Sequence, residues 1–424
     1  LRRWFFLLLV LCVSGGLAFA AARAWTAERW NATSDPRLWL RAAKMEPGNA
    51  EYWDHLGRYA LLDFTTGDLS RAVGYLERAA RVNPRSDDIW MDLASAYEAS
   101  GNPGDARRAY DKAEADHPIS ATVAWRYGNF LVRQGRNSEG FSQMRRAITS
   151  DPSLTEAAVS ECWEASGNAE DLNEVLPEKS SYYVTALNFF LSRNNLDAAL
   201  HVWSRLLRLG HPFPMEPALD LTGELITANR VADAQKTWQE ILAAEHWPQS
   251  ADRGDNLIFN GGFEHRPAGG GFDWREQPVP GVSYALDRAV AHSGIQAMRI
   301  TFDGSANLNF SQLVQYVAVE PKKSYLFTAY IRTQGITTDS GVCFAIDDLG
   351  QPSKAHVLTA NLLGTHPWTR VEAEIATGPN SDLLAVSLRR IPSQKFDNKL
   401  RGTVWVDDIS LAPERGDAAE VRRR

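Results

Sequence analysis

The sequence repeats itself at an interval of 34 residues. Pro84, Pro118 and Pro152 stand at this spacing. Three further columns keep it: Ala72, Ala106 and Gly140; Leu76, Tyr110 and Met144; Ala79, Ala113 and Ala147. A fixed period of this length indicates a solenoid of helix–turn–helix units. Such a unit cannot bury its apolar face alone, so it stacks on its neighbours, and the stack presents a long concave surface.

The clearest unit covers residues 87–120. Trp90, Leu93 and Tyr97 follow the i, i+3, i+7 spacing that places side chains on one face of a helix. Gly101 tolerates the left-handed backbone that ends a helix, and Pro118 stops the second helix of the unit. These residues closely resemble the pattern of the tetratricopeptide repeat. The resemblance implies an all-α solenoid, which we place at residues 36–250.

The period is strict only between residues 50 and 152, where three good repeats fit. Degenerate copies follow as far as residue 250. About three extra residues, around positions 63–66, lengthen the turn of the first repeat. Ahead of that repeat, residues 38–47 are predicted to form a lone second helix, a partial repeat that caps the solenoid.

The resemblance also implies which side chains face the groove, because the first helix of each repeat lines the concave side. By repeat register, the exposed groove positions are Asp54, Arg58, Asp88, Met91, Glu98, Trp125, Asn129 and Arg133. Some peptide-binding members of the family hold a C-terminal carboxylate with Lys and Asn at matching positions. Asp54 and Asp88 stand in that neighbourhood here, so a carboxylate clamp is not supported. The mixed charge and Trp125 favour a protein segment as the partner, with an ordinary solvated face as the alternative.

The N-terminus carries an apolar run at residues 4–22, preceded by Arg2 and Arg3 and closed by Arg23. The run is long enough to cross the ~30 Å hydrocarbon core of a bilayer as a helix. Basic residues ahead of it favour a cytoplasmic N-terminus and an exported remainder. Residues 1–24 are therefore an uncleaved signal anchor of a single-pass membrane protein or a cleaved signal peptide, and a buried helix is the remaining alternative. Either targeting signal places the bulk of the chain in the periplasm or the extracellular space.

Short alternating runs replace the helical spacing after residue 250. We place a linker at residues 251–255, a β-domain at residues 256–413 and a polar tail at residues 414–424. The clearest alternating runs are residues 313–319, 325–332, 342–346, 371–375, 384–388 and 403–411. About eight strands without helices between them predict an all-β antiparallel sandwich or jelly roll.

The two ends of this domain carry a second resemblance. Residues 256–264 have the sequence NLIFNGGFE, and residues 405–411 have the sequence WVDDISL. Both are similar to segments of jelly-roll carbohydrate-binding modules of the galactose-binding-like type. The resemblance is specific for fold and weak for ligand. In similar modules an early Glu and a late Asp lie near a structural calcium, whose hard charge suits oxygen ligands, and Glu264 and Asp407 match those places.

Strand alternation bears on the surroundings of Asp407. This residue shares a strand face with Ile409 and Leu411, which we expect to face the core, so Asp407 is predicted to point inward. A buried carboxylate needs a partner or a metal. The alternatives are therefore a structural calcium ion and a carboxylate that backbone amides or an arginine satisfy.

Sugar binding needs an exposed aromatic platform with planar polar groups beside it. The candidates are Trp274, Tyr284, Tyr330, Arg332 and Trp368. Strand aromatics in a sandwich mostly pack inward, so core or edge packing is the alternative for each of them.

Composition and motifs exclude other classes of protein. Lys and Arg number 45 against 52 Asp and Glu, a net charge of −7, which argues against a nucleic-acid partner. Cys12, Cys162 and Cys343 lack the spacing of a zinc site or a disulfide framework. The sequence contains no phosphate-binding loop with its lysine, no HExxH and no GxSxG. We therefore expect a protein that is not an enzyme and has no catalytic cofactor.

Together these features predict a multidomain protein with one N-terminal transmembrane helix, an all-α repeat solenoid and an all-β jelly-roll sandwich. The expected function is that of a non-catalytic, membrane-anchored scaffold of the bacterial cell envelope, in exopolysaccharide or cell-surface assembly. Its groove would bind a protein and its sandwich a polysaccharide. The alternatives are a protein–protein adaptor whose sandwich binds no sugar, and a glycan-active enzyme with an unrecognised site.

Overall fold

The computed structural model describes residues 2–62, 68–210, 213–247, 254–350 and 356–414. Three predicted segments fall wholly or largely outside the described residues: the lengthened turn at 63–66, the linker at 251–255 and the tail at 414–424. The chain divides into two compact units, residues 1–189 and residues 190–424.

Helices fill the described residues ahead of the sandwich, as the sequence predicts. The first unit contains α1 (Arg2–Asn31), α2 (Pro36–Met45), α3 (Ala50–Leu62), α4 (Leu69–Val82), α5 (Asp87–Ala99), α6 (Pro103–Asp116), α7 (Ala121–Arg133), α8 (Asn137–Ser150), α9 (Thr155–Ser166) and α10 (Leu172–Val175). The boundary between the units falls inside α11 (Ser180–Ser192). The second unit continues with α12 (Leu196–Leu209), α13 (Glu216–Thr227) and α14 (Val231–Ala244).

The sequence period has a direct counterpart in the ends of the helices. Ser86 and Ser120 each cap a first helix, because the hydroxyl oxygen accepts a hydrogen bond from the backbone N–H three residues later. Gly101 and Gly135 end those helices with φ angles of 75° and 73°. Only glycine adopts this left-handed backbone without strain, so the repeated glycine fixes where the chain turns.

Small residues let the two helices of a repeat approach closely. Ala72 and Ala106 are completely buried. A Cβ atom on Gly140 would lie 2.6 Å from Val132 Cγ2 and 2.9 Å from the carbonyl oxygen of Gly128. These separations are shorter than van der Waals contact, so the small residue in this column of the repeat is a packing requirement.

Helix α1 is unbroken, and its residues 3–31 are long and apolar enough to cross a membrane, with a mean hydropathy of 2.4 over an 18-residue window. Its C-terminal turns pack on the repeats. Ala27 is completely buried, Arg23 Nε donates to Glu46 Oε1 at 2.5 Å, and Asn31 Oδ1 lies 3.1 Å from His55 Nδ1. Helix α2 therefore has a helical partner. The prediction of a lone second helix at residues 38–47 is wrong, because the apolar helix continues through residues 23–31.

The β-domain is a sandwich of two antiparallel sheets. Its strands are β1 (Arg275–Glu276), β2 (Val282–Asp287), β3 (Ala297–Asp303), β4 (Phe310–Ala318), β5 (Ser324–Ile336), β6 (Cys343–Asp348), β7 (His356–Leu358), β8 (Gly364–Ala376), β9 (Leu383–Arg390) and β10 (Arg401–Pro413). The first sheet has the order β1-β4-β9-β6-β7, and the second has the order β2-β3-β10-β5-β8. The predicted all-β class is confirmed, and each of the clearest alternating runs lies on a strand.

Strand β10 contains an irregularity that the alternation rule did not foresee. The pairing of β10 with β5 shifts register between Asp407 and Ser410, and Asp408 has a φ angle of 46°. Val406 and Ile409 both lie in the core although they are three residues apart. The shift therefore places Asp407 on the face opposite to both. The prediction that Asp407 shares the inward face of Ile409 is wrong, because a bulge exchanges the two faces of a strand.

Within the second unit, the last helix contacts the sandwich. The Trp238 ring on α14 lies edge-to-face against Phe259, with ring centroids 5.3 Å apart. A Cβ atom on Gly271 would lie 2.4 Å from Trp238 Cε3. Gly271 has a φ angle of 57°, so both its backbone and its neighbour favour glycine at this position.

Candidate functional site

The groove of the first unit is lined by α3, α5 and α7, the first helices of three consecutive repeats. Arg126 on α7 donates through Nη2 to Asp92 Oδ1 at 2.9 Å and to Ser95 Oγ at 3.0 Å, both on α5. Arg133 makes a two-pronged ion pair with Glu98, at 2.9 and 2.8 Å. Neighbouring repeats are thus joined by ion pairs that also hold the groove side chains in place.

A further set of ion pairs joins α3 to α5. Arg58 Nε lies 3.2 Å from Asp54 Oδ2 and 3.8 Å from Asp92 Oδ2. Asp54 is only 7% exposed, and its Oδ1 is buried without a hydrogen-bond partner among the described residues. Burial, opposed by Arg58 and reinforced by the nearby carboxylates of Asp92, Asp88 and Glu51, raises the pKa of Asp54 to about 6.

The eight predicted groove residues differ in their exposure to solvent. Arg58, Asp88 and Arg133 are exposed, and Glu98, Trp125 and Asn129 are half-buried. Asp54 and Met91 are buried, so the prediction that these two are exposed is wrong. Each directly follows the tryptophan of its repeat. The first helix of the next repeat reaches this position in α5, because the guanidinium of Arg126 donates to the backbone carbonyl oxygen of Met91 at 3.2 Å.

Three groove residues escaped the sequence prediction: Asp92, Ser95 and Arg126. A signal for them existed, because Asp92 and Arg126 are separated by the 34-residue period and occupy the same column of the repeat. Comparing the columns one by one would have identified the pair. Opposite charges in one column of adjacent repeats indicate an ion pair between those repeats.

In the sandwich, Glu264 and Asp407 hold one loop, residues 292–295. Asp407 Oδ2 accepts hydrogen bonds from the backbone N–H groups of His292 at 2.7 Å and Ser293 at 3.2 Å. Both oxygens of Glu264 accept from the N–H of Ile295, at 3.1 and 3.2 Å. Burial raises the pKa of Asp407, and the hydrogen bonds from the backbone oppose the rise. The loop therefore covers Asp407 from outside the sheet, which explains why an outward residue is completely buried.

These contacts match the second alternative for Asp407, a carboxylate satisfied by backbone amides. The described residues hold no group of three or more His, Cys, Asp and Glu side chains placed to bind a metal. A calcium ion would therefore draw on Glu264, Asp407 and backbone carbonyls. Both oxygens of Glu264 and the Oδ1 of Asp407 each accept one hydrogen bond and keep a second lone pair, whereas the Oδ2 of Asp407 accepts two. Three of the four carboxylate oxygens are therefore compatible with calcium. The calcium site stays a prediction.

An aromatic patch, consisting of His292, Tyr330 and Trp368, lies over the second sheet. The His292 ring stacks on Tyr330 with centroids 3.6 Å apart, and Trp368 meets it edge-on at 5.6 Å. His292 Nδ1 lies 2.6 Å from Asp408 Oδ2. The carboxylate therefore fixes the orientation of the imidazole. Asp407 holds the backbone of the same loop. Two neighbouring residues of the bulge in β10 therefore position His292, one through its backbone and the other through its ring.

Arg332 and Trp405 continue the surface beside this patch. Tyr330 and Arg332 are two residues apart on β5 and point to the same face. The Arg332 guanidinium lies 5.5 Å from the centroid of the Trp405 ring, and the indole N–H of Trp405 donates to Asp287 Oδ2 at 2.9 Å. Three of the five predicted sugar-binding residues, Tyr330, Arg332 and Trp368, thus lie on one surface.

The other two candidates lie elsewhere. Trp274 is completely buried in the core, where its ring packs 5.4 Å from Phe263, so the prediction of an exposed platform there is wrong. Tyr284 is half-buried, and its hydroxyl donates to the carbonyl oxygen of Gln277 at 3.1 Å. Sequence reasoning missed His292. A loop residue gives no periodic signal, and its neighbours in space are distant in sequence.

Solved structures resemble parts of this chain at low similarity. One is a two-module structure of endo-1,4-β-D-xylanase 10B of Clostridium thermocellum, which includes a carbohydrate-binding module and was determined with xylohexaose. It is 12% identical, covers 38% of this chain and 29% of that chain, and has a TM-score of 0.28. Another is YrrB, described as a tetratricopeptide repeat protein with an unusual peptide-binding site. It is 15% identical, covers 46% of this chain and 98% of that chain, and has a TM-score of 0.27.

The sequence comparisons identify the repeats. Tetratricopeptide repeat protein 37 of Xenopus laevis is 30% identical over 166 residues, which are 37% of this chain and 9% of that protein. The chain thus spans less than a tenth of the length of this relative. The family model of the tetratricopeptide repeat matches residues 60–103 and 91–154, the region where the period is strict and the glycine turns recur. Residues 60–154 therefore consist of tetratricopeptide repeats, within an all-α region that an all-β sandwich follows.

Proposed function

We propose that the protein is a non-catalytic binding scaffold whose repeat groove holds an extended protein segment. The observation that carries the proposal is the row of polar side chains along α3, α5 and α7, fixed by ion pairs between repeats. Side chains that are already ordered lose little conformational entropy when a partner binds. The family match, which covers α5 and α7, supports a surface used for protein interaction.

The groove offers both apolar and hydrogen-bonding contacts to such a segment. Trp125 is half-buried, so part of its ring is open to a partner. Asn129 lies one turn further along α7, and its amide donates to the carbonyl oxygen of Trp125 at 2.9 Å, which leaves the amide oxygen as an acceptor. An extended segment presents unpaired backbone N–H groups and alternating side chains that suit such contacts.

We infer further that the aromatic patch of the sandwich binds a polysaccharide. Sugar rings pack their apolar faces on aromatic side chains while their hydroxyl groups bond to nearby polar groups. The patch supplies the rings of Tyr330 and Trp368, and Arg332 and Asp408 supply polar groups beside them. The prearranged stack of His292 on Tyr330 supports a built surface rather than scattered exposed aromatics.

The apolar helix α1 supports attachment to a membrane, with the repeats and the sandwich on one side of it. We infer a place in the bacterial cell envelope, where a scaffold of this kind would join a protein to a glycan during exopolysaccharide or cell-surface assembly. Fractionation of cells tests the attachment: the full chain should remain with membranes after a high-salt wash and dissolve in detergent. Recovery in the soluble fraction would contradict a membrane anchor.

Photo-crosslinking in cells tests the groove. A photoreactive amino acid at position 129 should give a discrete crosslinked protein, and Trp125→Ala in the same chain should remove it. The matched control is the same photoreactive residue in place of Glu156, which is exposed on α9. Equal products from positions 129 and 156, or no product from position 129, would contradict a groove that binds protein.

Affinity electrophoresis of the full chain in gels containing soluble polysaccharides tests the sandwich. We expect retardation by at least one polysaccharide and its loss in Trp368→Ala. Phe396→Ala is the matched control, because Phe396 is fully exposed and lies outside the patch. Absence of retardation across neutral and acidic polysaccharides would leave the protein–protein adaptor as the function.

A further inference from the structure

The carboxylate of Asp54 is the one acidic group in the described groove that is buried and only half satisfied. Its Oδ2 pairs with Arg58 at 3.2 Å, while its Oδ1 has no hydrogen-bond partner. Buried polar atoms in folded proteins nearly always have partners, and the exceptions call for an explanation. At Asp92, by contrast, the carboxylate pairs with both Arg126 and Arg58.

The charges around Asp54 are predominantly negative. Glu51 on the same helix and Asp88 on α5 raise its pKa through their charges. Both are exposed, and no described residue forms an ion pair with either of them. Among the described residues, Arg58 is the cation whose charge acts on Asp54, and Arg126 is held by Asp92 and Ser95. This end of the groove carries a net negative charge next to an unpaired acceptor.

We propose that this end of the groove binds the ammonium group of a lysine side chain of the partner, which pairs with Asp54 between Glu51 and Asp88. The inference rests on the proposed function of the groove, because it names the chemistry of the segment held there. A compact ammonium has three donors and can reach carboxylates on two helices at once, which a planar guanidinium does less well.

Access to Asp54 requires the displacement of one side chain. Its Oδ1 is covered, but the side chain of Arg58 is 54% exposed, and its ion pairs are those with Asp54 and Asp92. The exchange gives the buried carboxylate of Asp54 a new cation in place of the guanidinium, so no buried charge is left unpaired when Arg58 moves aside. The incoming ammonium then replaces the guanidinium at Asp54, and Arg58 keeps its contact with Asp92.

Peptide binding to the full chain tests the proposal directly. The probe is a fluorescent peptide of alternating glycine and lysine, compared at low salt with the same peptide in which every lysine is acetylated. Acetylation keeps the length and removes the charge. We expect the charged peptide to bind about tenfold more tightly or better. Asp54→Asn should abolish that preference, and Glu156→Gln, at an exposed position on α9, should leave it unchanged.

A second variant keeps the test decisive if Asp54→Asn disturbs the fold. Arg58→Gln removes the competing cation, so the charged peptide should bind several-fold more tightly than to the wild type. Equal binding of the charged and acetylated peptides to the wild type, or weaker binding of the charged peptide to Arg58→Gln, would overturn the ammonium site. If either of these peptide results is obtained while the crosslink at position 129 is still formed, the groove binds protein without an ammonium site. A charged-peptide preference without any groove crosslink would instead refute the proposed function alone.

Discussion

Asp54 in the repeat groove and Asp407 in the sandwich are both buried carboxylates with raised pKa values, but their partners differ. Asp407 accepts hydrogen bonds from three backbone N–H groups, those of His292, Ser293 and Asp408. Asp54 has one ion pair with an exposed side chain, that of Arg58, and one oxygen without a partner among the described residues. The comparison teaches that burial alone does not distinguish a structural carboxylate from one that is available to a ligand.

The two carboxylates also differ in what depends on them. Asp407 holds the loop that carries His292, so its effect on the aromatic patch passes through the backbone. Asp54 holds no other segment of chain, and its replacement would leave the fold of α3 intact. We therefore expect opposite signs when each carboxylate is removed, and the following predictions test that expectation.

The largest effect is expected for Asp407→Ala. This change leaves the N–H groups of the loop without their acceptor and should lower the free energy of unfolding of the sandwich by about 3 kcal/mol. Hydrogen exchange of the full chain locates the effect, since the amides of His292 and Ser293 should exchange much faster. Polysaccharide retention should fall as well, because the imidazole loses its support.

Asp347→Ala is the matched control for this prediction. Asp347 is a partly exposed carboxylate on β6 that contacts His356, in the other sheet. Its removal should change the free energy of unfolding by less than about 1 kcal/mol. Equal losses in the two variants would mean that Asp407 is an ordinary strand residue and that the loop is held by other contacts.

The calcium prediction gives the next largest effect. If Glu264 and Asp407 bind calcium, the ion should stabilise the sandwich by about 2.7 kcal/mol at one hundred times its dissociation constant. Thermal unfolding with calcium and with a chelator measures this, and Asp407→Ala should abolish the difference. If neither calcium nor the chelator changes the unfolding midpoint, these carboxylates bind no calcium and are satisfied by backbone amides.

Asp54→Asn should stabilise the repeats rather than destabilise them. The pKa of Asp54 is about 6 in the folded protein, above its value in the unfolded chain, so the folded state binds the proton more tightly. The stability of the wild type therefore falls as the pH rises from about 4 to about 6 and stays lower above that. The amide does not ionise, so the variant should gain about 2–3 kcal/mol at pH 8 and nothing at pH 4.

Urea unfolding at the two pH values, followed by hydrogen exchange in α3 and α5, checks this gain. The groups that face Asp54 are Glu51 and Arg58 on its own helix and Asp88 and Asp92 on α5, so each must remain in the variant. Glu156→Gln should show no dependence of its effect on pH. If Asp54→Asn is less stable than the wild type at pH 8, Asp54 is a structural partner of Arg58. Asp54 would then be a structural carboxylate, as Asp407 is.

The repeats could be predicted from sequence further than the sandwich could. Turns at Gly101 and Gly135, caps at Ser86 and Ser120 and the close contact at Gly140 all follow from local spacing at the period of the repeat. Each repeat contacts mainly its neighbours, so a column of residues has the same surroundings in every copy. The exposure of Asp54 and Met91 could not be predicted in this way, because it depends on how deeply the next helix sits.

The sandwich could be predicted in class but not in its surface. Alternation identified the strands, and it failed at Asp407 because one bulge residue, Asp408, reverses the faces of β10. The aromatic patch joins residues that lie far apart in sequence, His292, Tyr330 and Trp368, so no short spacing could reveal it. The antiparallel pairing that brings them together is a property of the whole domain.

The smallest effect concerns the ion pairs that join the repeats. Glu98 and Arg133 form a two-pronged pair whose side chains are 21% and 55% exposed, so solvent screens most of their attraction. A double-mutant cycle with Glu98→Gln and Arg133→Gln should give a coupling of about 0.5 kcal/mol that disappears in high salt. A coupling well above 1 kcal/mol would mean that the ion pairs stabilise the stack of repeats. The charged residues of the groove would then serve folding as well as binding.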